Sequence, residues 1–176
     1  LLEILVILVI LAIVSSVSYR SFVSFMQEQR LRQAAIELVS YLQTARARAM
    51  READDVGQAC ELQLQPSLNL VEPTTHTENV CHNTPALESI DLKLLSGIKD
   101  LSISGETGDS YYFTFTRQGF LASSNLSTST FLTLPRIIYL STSSSQMQRC
   151  VLLDLASIRM GYRNSTTQKH CIFNGN

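Results

Sequence analysis

Cys60, Cys81, Cys150 and Cys171 are the residues whose chemistry is stated most directly by the sequence. An even number of thiols in an exported chain reads as a disulfide set. Three connectivities exist. Pairing Cys60 with Cys81 and Cys150 with Cys171 is favoured, because each closes a local loop of about twenty residues, worth roughly 3 kcal/mol. The second bridge would staple the C-terminal tail. Zinc is the alternative, but the sequence has no Cys-x-x-Cys pair and its spacing fits no common template. His76 and His82 could share a ligand site in one polar loop, yet they and His170 read as solvated residues. Asp54 and Asp55 sit where a helix should end and read as solvent-facing terminators. No Gly-x-Ser-x-Gly, phosphate-binding loop or Gly-x-Gly-x-x-Gly motif is present. No catalytic, cofactor-binding or metal-binding residue is assigned, no cofactor is implied, and an enzyme is the poorest reading.

Charge is scarce and unevenly placed. Hydrophobic residues make up 45% of the 176 and charged residues 16%, which excludes general disorder. The net charge of −1 argues against a nucleic-acid-coating protein. The middle of the chain is acidic. The last 32 residues are mildly basic, with Arg149, Arg159, Arg163 and Lys169 against Asp154.

The one other residue with a chemical demand is Glu3, the only non-apolar position between Leu1 and Val14. A carboxylate inside an apolar run is costly unless it is paired or protonated. No Lys or Arg lies within a turn or two of it. Its partner must then come from elsewhere, such as the amino terminus of a neighbouring chain; otherwise Glu3 snorkels at a membrane interface. Both readings stand on the residues alone.

The elements that must position these residues follow from the pattern. Leu1–Val14 lacks the basic start and small-residue cleavage site of a signal peptide. It is short for a membrane span unless extended through Tyr19 to Arg20. A helix that is apolar all round must be buried by lipid or by other chains. No Gly or Pro interrupts residues 1–56. Leu31, Ala34, Ala35, Leu38, Leu42, Ala45 and Ala49 form one helical stripe, and Glu28 can pair with Arg32 at i,i+4. The sequence therefore predicts one helix from about Leu1 to Glu52. Residues 1–27 are its apolar part, a membrane anchor or filament core, and 28–56 its amphipathic part; Asp54, Asp55 and Gly57 end it. Residues 57–176 then form a β-rich globular domain.

Within that domain the strand candidates are Gln58–Leu64, Ile90–Leu95, Leu101–Ser104, Tyr111–Thr116, Phe131–Leu134, Ile137–Ser141 and Cys150–Leu155. Gly119 suits a hairpin turn with Phe120 and Leu121 returning, and Gly105 and Gly108 bracket another. Residues 66–85 read as one long polar loop. Asn125 and Asn164 match the N-glycosylation pattern, although solvated loops are the plainer reading.

An apolar N-terminal helix with one early Glu, running into an amphipathic half and a β-rich domain, resembles the type IV pilins and pseudopilins. Leu1–Val6 resembles the start of the mature helix. Leu31–Glu52 is similar to the GspH/FimT-like branch, and Phe113–Gly119 and Arg149–Leu153 look like that branch's strands. The resemblance implies an α+β fold, a long N-terminal α-helix packed on a C-terminal antiparallel β-sheet domain (the pilin fold). In that family four residues precede the Glu, where two precede Glu3 here, and a leader peptide is removed. A helix-breaking Gly or Pro is frequent where Ala12 and Arg20 stand.

The resemblance also implies a life history. The subunit waits in the bacterial inner membrane, then moves its helix into the core of an extracellular surface filament of identical subunits. Glu3 neutralises a neighbour's N-terminal ammonium and sets axial register, since a charge in low dielectric needs its partner. Other pilins and an inner-membrane assembly platform are the further partners. Three roles stay open: a structural filament subunit, a minor pseudopilin of type II secretion or of a pilus tip, and a DNA-binding minor pilin for DNA uptake. For DNA the candidates are Arg159, Arg163 and Lys169 with His170, and Tyr162 could stack. So few cations would give only salt-sensitive binding. The plainer reading of these residues is a solvated basic tail.

Overall fold

In the computed structural model the chain is described over residues 2–53, 58–75, 79–82, 87–92, 98, 100–104, 110–122, 135–142, 147–164 and 170–173. It opens with helix α1, Leu2–Glu52, 51 residues or roughly 75 Å at helical rise. Ten strands follow: β1 Cys60–Gln65, β2 Leu70–Pro73, β3 Ile90–Asp91, β4 Asp100–Ile103, β5 Tyr111–Phe115, β6 Leu121–Ala122, β7 Arg136–Ser141, β8 Met147–Leu153, β9 Ile158–Asn164 and β10 Ile172–Phe173.

The strands make two five-stranded sheets, ordered β3-β2-β1-β5-β6 and β10-β9-β8-β7-β4, with every named pairing antiparallel. Alternation decides which face is dry. In the first sheet Leu62, Leu64, Val71, Phe113 and Phe115 point inward. In the second Ile138, Leu140, Val151 and Leu153 do. The helix closes this core against β1 and β5 on one side and β7, β8 and β9 on the other. Its buried residues are Leu31, Ala34, Ala35, Leu38, Tyr41, Leu42, Ala45 and Ala49, one stripe at helical spacing. The alanines let the helix approach the strands closely.

The expected α+β architecture, a long N-terminal helix packed on a C-terminal antiparallel β-sheet domain, is corrected by this arrangement. The folded body is mostly β, in two sheets rather than one. Packing of the helix begins at Leu31, and every described side chain before it is exposed or half-exposed. Three strands lie where none was expected. β2 falls inside the segment read as one long loop, reached by a turn at residues 66–69 in which Asn69 takes φ 54°. β9 and β10 fall in the stretch read as a basic tail. Glu28 does not pair with Arg32; its carboxylate takes Arg149 of β8 at 3.2 Å. The hairpin at Gly119 is present, with φ 74° and Thr116 accepting the Gly119 N–H at 2.8 Å. A side chain there would run into Met50 and Arg46 of the helix. Phe131–Leu134, Gly105, Gly108 and the helix-ending Asp54, Asp55 and Gly57 lie outside the described residues.

Tyr41 sits where the helix crosses toward the first sheet. Its ring is buried, 7% exposed, and its hydroxyl has no partner. Burial first, and the charge of Glu72 second, push this phenol well above its ordinary range.

Candidate assembly surface

Apart from Glu3, the described side chains near the helix start are apolar and face solvent. Ile4, Leu5, Val6, Ile7, Val9, Ile10 and Leu11 are all exposed, Leu5 by 64%. Further along the same helix, Phe22, Phe25 and Met26 are exposed too. An isolated chain therefore leaves these apolar side chains of the helical rod in water, a cost that burial against another apolar surface removes. Among the described residues, no helix is long and apolar enough to cross a membrane. Glu3 stands in the first turn, exposed, where the free N–H groups of a helix start favour an anion.

The rod is held to the body at a defined point. Arg149 reaches from β8 to Glu28, and its guanidinium lies 5.9 Å from the centre of the Tyr162 ring on β9. The pair is partly exposed, so its worth is about 1 kcal/mol or less, and the buried stripe that starts at Leu31 carries most of the attachment.

Both disulfides form in the favoured pairing, Cys60–Cys81 and Cys150–Cys171, each across 21 residues, and no described cysteine is left free for zinc. The first loop is pinned by Asn79. Its Oδ1 accepts the Glu61 and Cys81 N–H groups, each at 3.0 Å, and its Nδ2 donates to the carbonyls of Glu61 and Thr74 at 2.7 and 2.8 Å. Glu61 itself is 2% exposed and accepts from the Thr74 hydroxyl at 2.7 Å.

The second disulfide joins β8 to the residue before β10, although β9 lies between them. Two flat strand spacings would separate these Cα atoms by about 9–10 Å. The observed 6.4 Å means that the tail leaves the sheet plane and folds across β9. It crosses at Gly161, opposite Cys150 in the ladder. A Cβ there would lie 2.6 Å from the Ile172 carbonyl oxygen and 2.6 Å from the Phe173 ring.

That crossing bears on the basic residues. Arg159 and Arg163 lie on the same face of β9, two positions either side of the covered Gly161, so the tail runs between them. Arg159 is exposed. Arg163 stacks on Tyr139 at 4.4 Å and donates two N–H groups to Gln148 Oε1. His170 is exposed. Lys169 and Asn125 lie outside the described residues, as does His76, and nothing is described of the Asn164 side chain at the end of β9. Among the described residues, no three His, Cys, Asp or Glu side chains converge as a metal site.

What the sequence missed here was the Glu61–Thr74–Asn79 cluster and the role of Gly161. The alternation of Ile158, Met160 and Tyr162 was the available signal for β9. No protein-family model, curated protein or solved structure matches the chain.

Proposed function

We propose that this chain is a structural subunit of a type IV pilus-like extracellular filament, built by burying the apolar part of α1 among the same helices of other copies. The observation that carries the reading is the solvent exposure of Ile4–Ile7, Val9–Leu11, Phe22, Phe25 and Met26, on a helix whose other half is fixed to a disulfide-braced body. Helices supply each other with a continuous apolar surround and satisfy their own backbone hydrogen bonds, which suits a filament core. Glu3 then enters low dielectric and takes the N-terminal ammonium of an adjacent copy as its partner. Inner-membrane residence before assembly and a surface location afterwards belong to the same proposal.

The test is the abundance of this chain in filaments sheared from intact cells, measured by quantitative mass spectrometry against other filament proteins. A dominant share supports the structural role. A trace share moves the chain to the minor-subunit role, in tip priming or type II secretion. Absence from the sheared fraction removes the filament reading.

A further inference from the structure

The first sheet has an outer face as well as a core face, and that outer face is built in rows. Gln63 of β1 is opposite Glu72 of β2 on one side and opposite Tyr112 of β5 on the other. The three side chains therefore form one line across three strands, about 10 Å wide. The neighbouring row, Thr74–Glu61–Thr114, is buried; its members are between 2% and 6% exposed. Its Glu61 end is held by the Thr74 hydroxyl on the carboxylate and by the Asn79 amide on the backbone. Beside that buried row a step is left, with a cavity of about 220 Å³ whose floor is the Glu72–Gln63–Tyr112 row and whose wall is Pro73, Thr74 and Thr75.

We propose that this step is a binding site for a neutral pyranose, one sugar residue of a glycan. Its lining selects the ligand class. Among the described residues it holds a carboxylate and no cation, so phosphate, sulfate and acidic sugars are repelled. Among the described residues, no cluster of carboxylate and imidazole ligands surrounds it to hold a metal. Its floor is polar apart from one aromatic ring, so an aliphatic ligand would strand hydrogen-bonding groups. A cavity below the range of drug-sized sites fits a single small ring.

The floor is also prearranged. Gln65 Nε2 donates to Glu72 Oε1 at 3.0 Å, and Gln63 Nε2 donates to Ser110 Oγ at 3.2 Å. Those bonds fix the two side chains and leave Glu72 Oε2 and Gln63 Oε1 as acceptors for sugar hydroxyls. The Tyr112 ring supplies a face for the C–H side of the sugar, and the Tyr112 and Thr75 hydroxyls can donate or accept. Little side-chain entropy remains to be lost on binding.

This site stands independently of the filament reading. The test uses the full chain in polyoxyethylene-ether micelles, which contain no sugar head group. Methyl glycosides of glucose, galactose, mannose and N-acetylglucosamine, with N-acetylneuraminic acid as the acidic control, are screened by saturation-transfer NMR. The expected result is transfer to the ring protons of at least one of them, with a dissociation constant on the order of 1 mM. Binding should weaken about tenfold or more in Glu72→Ala or in Tyr112→Ala, whichever retains both disulfides and the native amide spectrum. Moderate salt should leave it unchanged. The proposal is overturned if no neutral glycoside shows transfer, if transfer survives in both folded variants, or if only N-acetylneuraminic acid binds.

Discussion

Asn79 is one side chain doing the joining of three backbone segments. Replacing it with Ala strands the buried N–H groups of Glu61 and Cys81, each costing about 1–3 kcal/mol. Asn79→Ala should therefore lower the urea midpoint while leaving the Cys60–Cys81 bridge intact, as checked by non-reducing peptide mapping. Nothing in the sequence marked this residue, because its neighbours are polar and irregular and its partners lie up to 18 positions away. The cysteine pairing was legible for the opposite reason, since short loops close most readily. Tyr41 makes a prediction about pH. Its phenol is held protonated more tightly in the folded chain than in the unfolded one. Its contribution to stability is complete below the unfolded value near ~10 and falls as the pH rises above it, because the unfolded chain ionises first. Tyr41→Phe removes a hydroxyl without a partner, so it should be neutral or slightly stabilising at pH ~7. It should also flatten the loss of melting temperature above pH ~10, measured by circular dichroism.

At the scale of elements, the packed stripe of α1 was written in the sequence, since the residues from Leu31 to Ala49 recur with helical spacing and the buried set coincides with them. β2 was hidden because it is four residues long, ends in Pro73 and sits in a polar stretch. β9 was hidden by Gly161 and by two arginines on its outer face, which made an alternating strand look like a tail. Gly161 is there for the crossing above it. Gly161→Ala should displace β10 and cost about 1–3 kcal/mol, by overpacking against backbone that cannot move aside while the bridge holds. The expected outcome is a raised fraction of free Cys150 and Cys171 thiols on alkylation, with Cys60–Cys81 unaffected.

At the scale of the whole molecule, the division into two sheets was not legible, because it depends on pairings such as β1 with β5 and β4 with β7 that join distant segments. The contrast between a bare apolar half-helix and a packed one was legible, and the filament proposal rests on it. Glu3→Ala leaves the body untouched, so the purified variant should melt at the same temperature as the parent while its yield in the sheared filament fraction falls at least severalfold; equal yields would remove Glu3 from assembly. The two bridges carry a last consequence, for the order of oxidation. They occupy separate stretches of the chain, neither nested nor interlaced, at 21 residues apiece. Any wrong pairing must close a loop at least three times longer, which slows it by an entropy of about 1 kcal/mol. The reduced chain should thus reach its native bonds in either sequence, with few mispaired species to reshuffle, so an isomerase would gain it little speed.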